Sequence, residues 1–106
     1  MNKKNKRRRY AIHLINGESK NTQDPETFLI PTVEQRKAVV SGNFVKIGFM
    51  SDDPECFGEW MWVKVCECVE GEIYAGMLAN RPLCIPLKPG AWIRFGPEYI
   101  LDISRD

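Results

Sequence analysis

The feature that most constrains the fold is an eleven-residue stretch, 59–69, with no helix period and apolar residues at nearly every position. Trp60 and Trp62 fall on one side of an extended chain, and Met61, Val63 and Val65 on the other. Glu70 and Gly71 follow as a tight-turn pair, and residues 72–78 return as a second extended run. A strand with two apolar faces reads as the centre of a sheet, and a hairpin at its end makes that sheet antiparallel.

Further strands follow from the same period. In residues 44–49, Val45, Ile47 and Phe49 share one face and Lys46 takes the other. Residues 83–87 read as a short strand bounded by Pro82 and broken by Pro86, residues 92–95 as the next, and residues 99–103 as the last. Thr32 and Gln35 form a capping-box pair that predicts one short helix over residues 33–40, stopped at Ser41-Gly42. Gly42 and Gly90 each precede an alternating strand, and both positions call for positive φ. Short strands with Gly and Pro corners predict a mainly β, α+β domain. Its form is a small bent sheet or SH3-like barrel of about five strands with one short helix, and an OB-like barrel is the second choice.

Charge divides the chain. Lys3, Lys4, Lys6, Arg7, Arg8 and Arg9 put six positive charges in the first nine residues with no acid among them. That leaves nine of the 15 basic residues beside all 14 acidic ones, a net of −5 on a chain whose total is +1. Residues 1–9 read as a disordered basic arm, residues 10–27 as a weakly structured linker or edge strand, and residues 28–106 as the compact domain. No apolar run is long enough to span a bilayer and no secretory signal follows the basic start, which predicts a cytoplasmic protein without membrane contact. In that setting Cys56, Cys66, Cys68 and Cys84 are expected to be reduced thiols.

Residues 59–103 resemble the uncharacterised bacterial domain-of-unknown-function 2314 family. The resemblance rests on Glu59, Trp62, Val63 and Val65, then Gly76, Leu78, Asn80 and Pro82. Leu87-Lys88, Gly90, Phe95 and the closing run 100–102 complete it. Residues 30–49 fit the family's start, so about 28–106 is covered. Asp102 is followed by Ile103 where the family often carries Trp. The resemblance implies a small domain of bacteria and their mobile elements, and it implies no activity. It centres on Trp62, whereas strict alternation gives Met61 and Val63 to the core; a β-bulge near Trp60 would reconcile the two.

Catalytic chemistry is poorly provided for. His13 is the only histidine, no Ser or Cys has a base nearby in sequence, and no Gly-rich phosphate loop is present. The spacing of the four cysteines is wrong for a zinc finger or ribbon, so neither metal nor cofactor is expected. The reading is therefore a non-catalytic protein-binding module: an inhibitor, immunity-type or accessory factor of a bacterium, phage or mobile element. Its candidate contacts are Asp52, Asp53 and Glu55 on an acidic loop, with Trp60 and Trp62 as aromatic anchors. The alternative is nucleic-acid binding through the six cations of the arm, with Lys46, Lys64 and Arg94 extending a basic face.

Overall fold

The computed structural model describes residues 10–69 and 72–104, so the basic arm and the turn pair Glu70-Gly71 lie outside the described residues. Six strands form one antiparallel sheet: β1 (Ile12–Leu14), β2 (Phe44–Ser51), β3 (Gly58–Val69), β4 (Ile73–Leu78), β5 (Trp92–Phe95) and β6 (Asp102–Ile103). Strands β1 to β5 pair in sequence order. β6 returns to β2 and shares with β1 the edge that β3 leaves free, β1 along Phe49–Ser51 and β6 along Val45 and Lys46. The sheet curls into a half-barrel. The mainly β, α+β expectation holds, with a bent sheet in place of a closed barrel.

The two expected faces segregate by register. Val45 pairs with Val63, Ile47 with Met61, Val63 with Leu78, and Gly76 with both Val65 and Ile93. This inner face is buried throughout, with Tyr74 and Phe95 in ring contact at 5.7 Å. Val39, Ile85 and Ile100 close it from outside the sheet. Alternation along β3 is therefore strict through Val65: Met61, Val63 and Val65 face inward, and Trp60 and Trp62 outward. The bulge expected near Trp60 lies instead at Cys66, between the Val65–Gly76 and Glu67–Ala75 pairs. The extra residue sits where β3 leaves the core, and a bulge bends its strand and increases the local twist.

Two short helices flank the sheet, one more than expected. α2 (Val33–Lys37) carries both arms of its capping box: the Thr32 side chain accepts from the Gln35 amide, and the Gln35 side chain accepts from the Thr32 amide. It stops three residues short of the expected end, because Val39 turns into the core. α1 (Gly17–Gln23) lies in the segment read as a linker or edge strand, which supplies both β1 and α1. Its N-cap is Asn16, whose Oδ1 accepts from the Ser19 amide. Gly17 packs so closely on Leu101 that a Cβ there would stand 2.8 Å from Leu101 Cδ2.

Residues 79–91 form no strand, contrary to the expectation for 83–87. Pro82 and Pro86 lack ladder donors, and the amides of Leu83, Cys84 and Ile85 bond a side chain instead. Residues 97–99, assigned in part to the last strand, form a single 3-10 turn before β6.

Candidate functional site

Two surfaces carry the residues singled out from the sequence. The first is the tip of the β2–β3 hairpin. Here Asp53 fixes the loop: its amide donates to Ser51 Oγ at 3.0 Å, and its Oδ1 accepts from the Glu55 amide at 2.8 Å. Asp52 donates through its backbone to Ala11 and faces His13, whose Nε2 is 3.4 Å from the carboxylate in an exposed pair. Asp52 and Glu55 are exposed, and Asp53 is half-buried by its turn bonds.

The reading of four reduced thiols is corrected at this tip. Cys56 and Cys84 form a disulfide with a Cα–Cα distance of 5.6 Å, tying the hairpin loop to the chain after β4. Beside it the Glu59 carboxylate accepts three consecutive amides: Leu83 at Oε1 (2.8 Å), Cys84 at Oε2 (2.6 Å) and Ile85 at Oε2 (2.8 Å). Burial raises the Glu59 pKa and the three donors lower it; the donors win and hold it below its ordinary 4.5. Cys56, Glu59 and Cys84 bring their ligand atoms within 4.8 Å of one another. With the sulfurs bonded together and the carboxylate accepting three amides, the group works as a clamp on residues 83–85.

Cys66 and Cys68 are free and lie elsewhere. Cys68 sits beside Tyr74, whose phenol is pushed up by burial and by that thiol. The four cysteines therefore do not converge.

The clamp leaves two large apolar side chains in solvent. Phe57, following Cys56, is 74% exposed, and Leu83, preceding Cys84, is 94% exposed. Neither was singled out from the sequence. Their signal lay in the flanking cysteines, and reading those as free thiols hid it.

The second surface is the outer face of the sheet. Trp60 lies near the tip and packs edge-on against Phe28 at 5.8 Å. Trp62 lies one step further along β3, beside Lys46, whose Nζ is 5.2 Å from the indole centre. Its backbone is fixed by the chain after β4: the Trp62 amide donates to Asn80 Oδ1 at 2.6 Å, and its carbonyl accepts from Ala79 at 2.9 Å. The Asn80 side-chain oxygen, as acceptor, and the Ala79 amide, as donor, thus extend the β4 ladder by one rung. Trp60 is exposed and Trp62 half-buried, so β3 is not covered on both faces. The structure brings Asp52, Asp53, Glu55 and Trp60 to one end of the sheet and leaves Trp62 on the open face. The arm residues Lys3 to Arg9 lie outside the described residues.

Among the described residues no helix is long and apolar enough to cross a membrane. Comparison with protein-family models, curated proteins and solved structures returned no match to this chain.

Proposed function

We propose that this chain is a non-catalytic protein-binding module that docks through the tip of its β2–β3 hairpin. The observation that carries the reading is the pair Phe57 and Leu83, two large apolar side chains held in solvent by a clamped segment. Exposed apolar side chains on a rigid segment lose little conformational entropy on binding, which favours use as anchors. Asp52 and Glu55 are exposed on the same hairpin loop as Phe57, so a partner with a basic rim and an apolar pocket fits best. Trp60 lies at the same end of the sheet and widens the contact. An inhibitor, immunity-type or accessory role in a bacterium, phage or mobile element accords with this reading, and so does membership of the family named above.

The bonded Cys56–Cys84 pair weighs against the cytoplasmic residence expected from the sequence, because such pairs are rare in a reducing cytosol. Alkylation of the thiols in intact cells reads its state directly.

The test places a photo-crosslinking residue at Phe57 and, as control, at Val69, which is 59% exposed elsewhere on the sheet. A discrete crosslinked protein from position 57, absent from position 69, is the expected result. Equal crosslinking from both positions, or none from either, would sink the proposal.

A further inference from the structure

We infer that the open face of the sheet is a second binding site, and that its ligand is single-stranded nucleic acid stacked on Trp62 and Trp92. The inference goes beyond the docking tip and uses none of the tip's anchors.

The strand register assembles the face. Phe44 pairs with Lys64, Lys64 with Met77, and Met77 with Trp92, a continuous row across β2, β3, β4 and β5. The neighbouring row holds Lys46 beside Trp62, and the row beyond Met77 and Trp92 ends in Arg94. Adjacent rows lie about 7 Å apart, the rise of two strand residues. Rings and cations thus alternate in both directions over one surface.

Folding does not account for these rings. The inner face of the same strands is filled, whereas Trp92 is 51% exposed and Met77 is 41% exposed. Trp62 lines a hollow of about 380 Å³ with Phe44, Ala79, Asn80 and Ser104. The Lys46 ammonium lies over the Trp62 indole, 5.2 Å from its centre, and Lys64 and Arg94 are exposed beside Phe44 and Trp92. Two acids oppose them: Glu67 in the Arg94 row, and Asp102, the exposed cross-strand neighbour of Lys46.

The chemistry of the ligand follows from this pairing. Aromatic faces recognise other π-faces, and the cations between them recognise anions spaced along a chain. Unpaired nucleotides present both together, whereas a duplex hides its base faces in its own stack. The chain as a whole is acidic outside its first nine residues. Lys46, Lys64 and Arg94 nonetheless stand on this face against Glu67 and Asp102, whereas Asp52, Asp53 and Glu55 at the tip are all acidic, so the two surfaces differ in the sign of partner they attract.

The test is fluorescence anisotropy of the full chain with a labelled 12-mer of oligo-dT, and with its RNA counterpart, at 50 mM salt. Binding is expected for both, and a duplex of the same length should compete poorly. Trp62→Ala and Trp92→Ala should each weaken binding about 5- to 150-fold. Lys64→Gln should flatten the salt dependence by about one charge. Melting temperature controls for folding; Trp92, on the edge strand, carries the test if Trp62→Ala unfolds. Absence of binding overturns the proposal, and so does equal affinity for duplex. So does binding that survives both Trp substitutions and is lost only when Arg7, Arg8 and Arg9 are changed to Ala, because the arm alone would then be the binder.

Discussion

Glu59 and Cys84 are joined by two routes. The Cys84 amide donates to Glu59 Oε2 at 2.6 Å, and the Cys84 sulfur is bonded to Cys56, three residues before Glu59. A strand residue and a loop residue 25 positions apart thereby become one rigid unit, and the exposed Leu83 rides on it. Glu59→Gln keeps the shape but turns an amide NH2 toward backbone donors. It should lower stability by about 1–3 kcal/mol at pH 7, read from the urea midpoint. An unchanged midpoint would mean that the carboxylate contributes nothing to the fold.

The same carboxylate sets a pH window. Its folded pKa lies below the ordinary 4.5, so its stabilisation is fully present above pH 4.5. As pH falls below 4.5 the unfolded chain takes up the proton first, and stability declines until the pH passes below the folded pKa. Between pH 7 and pH 3 the unmodified protein should therefore lose more stability than Glu59→Gln. Parallel curves for the two proteins would assign the acid sensitivity to other groups.

Reduction tests the second route. The disulfide closes a loop with a sequence separation of 28 residues, and the chain-entropy relation assigns such a loop about 3–4 kcal/mol. Unfolding with and without reductant should differ by that order. Because the sulfur bond and the Glu59 bonds hold the same segment, their losses should not add; a coupling above about 0.5 kcal/mol is expected from the double-mutant cycle.

How far these relationships can be read from the sequence depends on their range. The inward set Val45, Ile47, Phe49, Met61, Val63 and Val65 is legible because strand burial repeats every two residues. Gly42 and Gly90 are legible as corners because a turn is local; their φ values are +98° and +89°. The clamp is not legible, because its acceptors lie on one strand and its donors 24 to 26 residues later on a loop with no periodic signal. α1 was hidden by Asn16-Gly17, a pair that reads as a turn but here serves as a helix cap and a close contact with Leu101. The acidic loop and Trp60 stand out by side-chain chemistry alone, whereas the exposure of Phe57 and Leu83 is not legible, because the bond beside them joins positions 28 residues apart.

The glycines separate two physical costs. A Cβ on Gly76 would lie 2.1 Å from the Lys64 carbonyl oxygen, which is backbone and cannot yield without moving β3. Around Gly42 and Gly90 nothing lies within 4 Å, so only the left-handed backbone opposes substitution. Gly42→Val should cost about 1–2 kcal/mol, and Gly42→Asn less, because Asn tolerates that conformation. Gly76→Ala should cost more than Gly42→Ala and should loosen amide exchange along the β3–β4 ladder. Equal costs for the two Ala variants would show that β3 adapts to the added carbon.

Arg36 is the test of how α1 is held. It is 5% exposed, and its head makes three bonds: Nε donates to the Pro31 carbonyl at 2.9 Å, and Nη1 to Glu18 at 2.6 Å and to the Pro97 carbonyl at 3.1 Å. Its own carbonyl accepts from the Tyr74 hydroxyl at 2.8 Å, which ties α2 to the core. Glu18 is half-exposed, so water competes for that ion pair and its removal is cheap. The two carbonyls have no such relief, and losing a charged donor to them is costly. Arg36→Ala should therefore lower stability by about 2–4 kcal/mol, Arg36→Lys by an intermediate amount, and Glu18→Gln by less than about 1 kcal/mol. Hydrogen exchange should show the loss first in α1 and the 3-10 turn at Pro97–Tyr99. If Glu18→Gln costs as much as Arg36→Ala, the ion pair, and not the carbonyl anchoring, fastens α1 to the sheet.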